Sequence, residues 1–208
     1  ALAPHTVLYD AMVGPTYPRH HRFQQHRGVD ATTTSLEVRA VGAKTKALVG
    51  GRPVATLETL DAAAFEGRPL PAVVDWREGV DYEALGAFHG PTLRAMRAWA
   101  RDGERVLVRC ASTVPQGARA DTLLQCGILA KWVLYPTDPW SYLPTSTTNH
   151  QLAPIPTTFV VGIWGGTTLP NPRQKDLRWA LWDDAGALVL HGGSRVSGIP
   201  SYRIKVKP

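Results

Sequence analysis

ARADTLLQCGILAKWVLYP, residues 118–136, decides how this chain is read. Leu123, Leu124, Ile128 and Leu129 recur at helical spacing, and Pro136 cannot continue a helix, so the stretch predicts a helix that ends before it. Asp121 stands in the first turn, where a carboxylate interacts favourably with the helix dipole.

Around this helix the apolar pattern has period two, the mark of half-buried strands. SLEVRAV (35–41), RPVATLETL (52–60), ERVLVRCA (104–111), TTFVVGIW (157–164), DLRWALWD (176–183), ALVLHG (187–192) and SYRIKV (201–206) all follow it. Asp183, Asp184, Ala185 and Gly186 form a turn signal, so 176–192 reads as a hairpin. PTLRAMRAWARDG (91–103) reads as a second helix, stopped by Gly103. An apolar helix among antiparallel strands must be wrapped by the sheet, which predicts an α+β, hot-dog-like unit.

Composition narrows the class. The chain has 208 residues, 44% hydrophobic and 19% charged, enough to bury a core, and 17 Pro with 19 Gly call for many turns. It contains no apolar run of about 18 residues and no signal-peptide order at its start, and the expectation is a soluble, cytoplasmic chain with no membrane contact. Cys110 and Cys126 read as small buried hydrophobes on a strand and a helix, not as a disulfide framework. The net charge of +6 permits nucleic-acid binding, but outside Arg19 to Arg27 the basic residues are dispersed. His20, His21 and His26 do not make a convincing metal set: neighbouring strand residues face opposite ways, and no acidic residue or cysteine accompanies them. No G-x-S-x-G elbow supports a serine hydrolase.

Four stretches in order carry a resemblance. YEALGAFHGPTLRAMRAWARDGERVLVR (82–109), ADTLLQCGILA (120–130), SYLPTSTTNHQL (141–152) and DLRWALWDDAGALVL (176–190) resemble the C-terminal hot dog of dehydratase domains from polyketide and polyunsaturated fatty acid synthases. The family patterns are YEALxxxxxxHGPxFxxLRxxWRxGDxVLA, HPxLLDxxLQ, YLPxS and D…GxxV. The resemblance covers about residues 82–208 and implies a double hot dog, with 1–80 as a partial or divergent N-terminal half and 81–208 as the C-terminal half. RPLPAVVDWREGVD (68–81) would link them. LYDAMVGPTYPRHHRFQQHRG, with its Gly14-Pro15 turn, loosely echoes 82–109.

The implied chemistry is loss of water from a β-hydroxyacyl thioester on the phosphopantetheine arm of an acyl carrier protein, with no cofactor. Neighbouring synthase domains, or a second copy in a homodimer, would be partners. A histidine base, an acid on the hot-dog helix and a helix-start amide are required. The family's histidine motif, HxxxGxxxxP, is not found in this chain, so the base is unassigned. Aligned on the Leu pair, the family's aspartate falls on Gln125, an amide that cannot donate a proton as an acid does; Asp121 lies one turn earlier. The candidates are therefore Asp121 and Gln125 for catalysis, and His89, Gly90 and Pro91 for substrate contact. A catalytically silent shell is the variant of this reading. The alternative from another class is a viral jelly-roll coat protein binding RNA, which needs residues 119–134 extended.

The five Trp residues 132, 140, 164, 179 and 182 crowd the last third. Trp179 and Trp182 are three apart on one strand, so they face opposite sides and only one is expected in the core.

Overall fold

The computed structural model describes residues 12, 19–26, 36–85, 94–111 and 116–200; for 116–121, 166–168 and 199–200 the backbone alone is described. The strands are β1 (His20–Gln25), β2 (Glu37–Val41), β3 (Lys44–Val49), β4 (Arg52–Thr59), β5 (Arg77–Glu78), β6 (Met96–Asp102), β7 (Arg105–Ala111), β8 (Trp140–Gln151), β9 (Thr158–Thr168), β10 (Gln174–Trp182) and β11 (Leu188–Pro200). Helix α1 (Gln116–Leu134) stands between β7 and β8. All strands join one antiparallel sheet in the order β2-β3-β4-β1-β8-β11-β10-β9-β7-β6-β5.

Alternation along β7 explains the layering. Val106, Val108 and Cys110 point to the inner face, where they join Phe159, Val161, Ile163, Trp179, Leu181 and Leu190 against Cys126, Leu129 and Ala130 of α1. Leu107 points the other way and joins Ala100, Val160, Ala180 and Trp182 on the outer face. Phe65, Leu70, Val74 and Trp76 cover that face from the irregular segment between β4 and β5. A third cluster, Met12, Phe23, Ala47, Val54, Ala55 and Leu57, belongs to the β1–β4 end. Arg105 fastens the covering segment. The residue is 6% exposed, and its guanidinium pairs with Asp102 at 2.6 Å and donates to the carbonyls of Arg68 and Pro69 at 3.0 and 2.9 Å.

The strands predicted at 35–41, 52–60, 104–111, 157–164, 176–183 and 187–192 are present, and 201–206 lies outside the described residues. The turn between β10 and β11 is as read: Gly186 has φ 81°, and Asp183 Oδ1 accepts the amides of Ala185 and Ala187 at 3.0 and 2.8 Å.

Three expectations are corrected. Residues 91–103 do not form a helix where they are described: Met96–Asp102 is strand β6, paired with β7, and Tyr82 Oη accepts the Met96 amide at 2.8 Å. Good helix formers are overruled there by an open sheet edge. Trp179 and Trp182 do face opposite sides, but both are buried, at 5% and 1% exposure, because the sheet is covered on both faces at that point. The 68–81 stretch is more than a linker, since it supplies part of the outer cover and β5.

The segment 119–134 is helical throughout, which removes the extended core strand that a jelly roll requires. Its buried side is Thr122, Gln125, Cys126, Leu129 and Ala130, while Leu123, Leu124 and Ile128 are half-buried at its flanks. No described helix is long and apolar enough to cross a membrane.

Candidate functional site on the inner face

Helix α1 starts at Gln116, so Asp121 stands in its second turn and not in the first turn as expected, and Gln125 follows one turn later. Gln125 is 1% exposed and stands beside Thr122 and Cys126 on the side turned to the sheet. The side chain of Asp121 lies outside what is described, as do His89, Gly90 and Pro91 altogether, so the structure does not join those three to the helix pair. Cys126 meets Cys110 of β7 with 3.7 Å between sulfurs; both are free thiols, and burial pushes the Cys126 thiol well up. Burial likewise raises the nearby Tyr82 phenol to about 12, keeping it a neutral donor and acceptor.

The sequence did not single out the polar row that lies between the two inner apolar clusters. Register pairs His21 of β1 with Asn149 of β8, Asn149 with Gly192 of β11, and Gly192 with Trp179 of β10. His21, Asn149 and Trp179 are 0%, 3% and 5% exposed. Asn149 Nδ2 and His21 Nε2 are 3.4 Å apart, so the amide donates to a ring nitrogen that carries no proton. Phe23 and Leu57 of the β1–β4 cluster flank the row on one side, and Trp179 opens the α1 cluster on the other.

On the outer face the neighbouring positions carry a second histidine set. His20, His150 and His191 are in register across β1, β8 and β11, with ring centroids 5.5 and 5.0 Å apart, and Phe65 lies 5.5 Å beyond His191. His191 Nε2 donates to the Ala63 carbonyl at 3.1 Å. Burial, reinforced by repulsion from His191 and His20, holds the His150 pKa below its usual value; burial outweighs the Ala63 hydrogen bond in doing the same to His191. A groove of about 970 Å³ runs beside the stack, lined among others by Arg22, Thr148, Arg178 and Arg195. No group of three potential metal ligands is assembled among the described residues. A signal for both sets was present in the sequence: adjacent polar pairs, His20-His21 and Asn149-His150, on strands whose two faces are both occupied.

Solved structures share this architecture. The bifunctional dehydratase-cyclase domain of ambruticin biosynthesis superposes with a TM-score of 0.68 at 17% identity, over 98% of this chain and 84% of that one. The fold is that of polyketide synthase dehydratase domains. The CurJ dehydratase, in an inactive histidine-to-phenylalanine mutant holding a compound, gives a TM-score of 0.66 at 12% identity, with 96% and 83% of the two chains covered. The dehydratase domain of RzxB from Pseudomonas fluorescens gives 0.58 at 18% identity, with 86% and 76% covered. No protein-family model matches the sequence, and no curated protein matches it. This dehydratase-type fold has its helix α1 against the inner face of the C-terminal strands, and the polar row where the β1–β4 end meets them.

Proposed function

We propose that the chain is a dehydratase-type domain that receives a β-hydroxyacyl chain from the phosphopantetheine arm of an acyl carrier protein and eliminates water from it. The observation that carries this is α1, which lies on the inner face of a dehydratase-type sheet and carries Asp121-Thr-Leu-Leu-Gln125 from its second turn on. Aligned on Asp and Leu-Gln, instead of on the Leu pair, that run follows the family's DxxLQ. Asp121 then takes the place of the acid and Gln125 that of the family's glutamine. The burial of Gln125 supports this register, since a carboxyl there would be desolvated against the sheet.

In the elimination, a base removes the proton α to the thioester carbonyl, the C–O bond to the β-hydroxyl breaks, and Asp121 protonates the leaving oxygen to give water and the enoyl thioester. The base is not assigned to any histidine of this chain. We read the sheet as two hot-dog halves, 1–80 and 81–208, meeting at the β1–β8 ladder, in a chain that works beside other synthase domains in the cytoplasm.

A second reading, a shell that holds the acyl chain without dehydrating it, is favoured by the missing HxxxGxxxxP pattern. Mass spectrometry of the carried chain separates the two. Incubation with a β-hydroxyacyl carrier protein should yield product lighter by one water, and Asp121→Asn should abolish it. Carrier binding with no such product leaves only the holding role, and absence of binding refutes both.

A further inference from the structure

We propose that Cys110 of β7 and Cys126 of α1 form a redox-sensitive clamp: a two-electron oxidant, a peroxide, joins them in a disulfide that ties the helix to the sheet, and a dithiol reductant releases it. The clamp does not depend on what the inner face receives.

These are the chain's two cysteines, both free, at 1% and 0% exposure. Cys110 lies on a strand paired with β6 on one side and β9 on the other, and Cys126 stands on the helix packed against it. Their sulfurs are in van der Waals contact at 3.7 Å. A bond needs about 2.05 Å, and the gap closes when each side chain turns by about 30° about its Cα–Cβ bond, a modest rotamer strain. The residues are 16 apart in sequence, so the bond would close a ring over the whole β7–α1 connection. Phe159, Val108 and Leu129 surround the pair, and a dry apolar shell leaves each sulfur the other as its reaction partner.

Access to the pair comes through the helix. The buried side of α1 is Thr122, Gln125, Cys126 and Ala130, with Leu129 as its one large apolar residue among those described; Leu123, Val133 and Leu134 add half-buried contacts. A helix held by so little buried apolar area lifts from its sheet more readily than the sheet itself unfolds. Lifted into water, Cys126 loses the burial that raises its pKa, and its thiolate becomes available.

The thiolate then attacks the peroxide, the O–O bond breaks, and Cys126 becomes a sulfenic acid while the departing hydroxide takes up the displaced proton as water. When the helix re-docks, the Cys110 sulfur attacks the sulfenic sulfur. The S–S bond forms, the S–O bond breaks, and the leaving hydroxide carries the Cys110 proton away as a second water. The dithiol loses two electrons, and the peroxide gains them.

The test treats the full reduced chain with limiting hydrogen peroxide, denatures it in iodoacetamide and weighs the peptides that hold Cys110 and Cys126. The expected product is one cross-linked pair lacking the two thiol hydrogens and restored by dithiothreitol. In the oxidised chain the amides of 122–134 should exchange about tenfold more slowly. Tm should rise by roughly 2–8 °C, the gain from ring closure less the rotamer strain. Cys110→Ser should leave Cys126 as a sulfenic acid that dimedone traps, and the wild-type readouts stand alone if that variant does not fold. Thiols that stay reduced in the native chain but cross-link in urea overturn the clamp. A disulfide that lowers Tm or leaves exchange in α1 unchanged overturns it as well, as does a native Cys126 driven to sulfinic acid beside a free Cys110.

Discussion

Asp138→Ala should destabilise the domain by about 3 kcal/mol, the low end of the cost of breaking a buried ion pair from one side. Asp138 sits where α1 turns into β8, and its carboxylate does three things there. Oδ1 accepts the Trp140 amide at 3.0 Å, Oδ2 accepts the Tyr142 hydroxyl at 2.8 Å, and Oδ2 pairs with Lys175 of β10. The two charged side chains are 11% and 16% exposed. Truncation leaves the Lys175 ammonium in a half-closed site. It keeps the Tyr142 side chain and the faces of Tyr135 and Tyr142, whose centroids lie 4.2 and 5.1 Å away, and a partly desolvated cation–π contact returns about 1–2 kcal/mol.

For a chain of this size that loss lowers Tm by roughly 6–12 °C, read by circular dichroism or calorimetry. The double variant Asp138→Asn, Lys175→Met removes both charges at nearly constant volume and should lie within about 1 kcal/mol of wild type. If Asp138→Ala costs less than about 1 kcal/mol, the pair is screened like a surface pair and the reasoning fails. Acid should act like the mutation. Burial alone would raise the Asp138 pKa, but the hydrogen bonds from Lys175, Trp140 and Tyr142 outweigh it and hold the pKa below 3.8, so this stability is present above pH 3.8 and lost as pH falls through the native value.

Asp121→Asn should lower dehydration by about a hundredfold or more while leaving the melting curve unchanged, whereas Gln125→Asp should reduce stability, with no gain in rate. Trp182→Ala, which empties the outer cluster between Phe65 and Leu107, should cost about 3–5 kcal/mol in a urea titration. The histidine stack predicts a pH dependence of its own. His150 and His191 have depressed native pKa values, so the unfolded chain binds more protons once pH drops below 6.5, and stability should fall from there downward. His150→Asn should flatten that part of the profile, and an unchanged slope would show that the stack does not govern it. Leu129→Arg, which buries an unpaired charge between α1 and the sheet, should prevent folding; a soluble, cooperative variant would argue against that face being closed.

Much of the sheet was legible from period two, as in RPVATLETL, which buries Ala55 and Leu57 and leaves Thr56 and Glu58 partly exposed; TTFVVGIW, buried on both faces, was legible as a short apolar run, and SLEVRAV alternates although its β2 residues are exposed on both faces. Legibility failed where another force set the structure. RAMRAWARD has helix-forming residues, and only its non-local pairing with β7 makes it a strand. WSYLPTSTTNHQ was read as a motif and not as a strand, since a proline and a run of polar residues conceal the pattern; β8 is polar because its inner positions form the buried row and its outer ones the groove. The helix was legible from its spacing, but not its buried side. The apolar residues Leu124 and Ile128 lie at the flank, and Thr122 and Gln125 face the sheet. For the candidate site, Asp121 and Gln125 could be named from sequence, whereas the row of His21, Asn149 and Trp179 was hinted at only by its adjacent polar pairs, because it is assembled by the register of four strands from distant parts of the chain.

The β1–β8 ladder also sets a timetable for folding. His21 and Asn149 pair across 128 residues of sequence, while the β2-β3-β4 and β9-β10-β11 ladders form between neighbours. The long closure is entropically the costliest step, so it should come late, after each meander is built. At a synthesis rate of about 5–20 residues per second, β1 leaves the ribosome roughly 6–25 s before the strand that will cover its edge. During that interval β1, paired with β4 alone, is an unsatisfied sheet edge, and its HHRFQQ sequence, half charged or ionisable, is suited to waiting in water without recruiting a second chain.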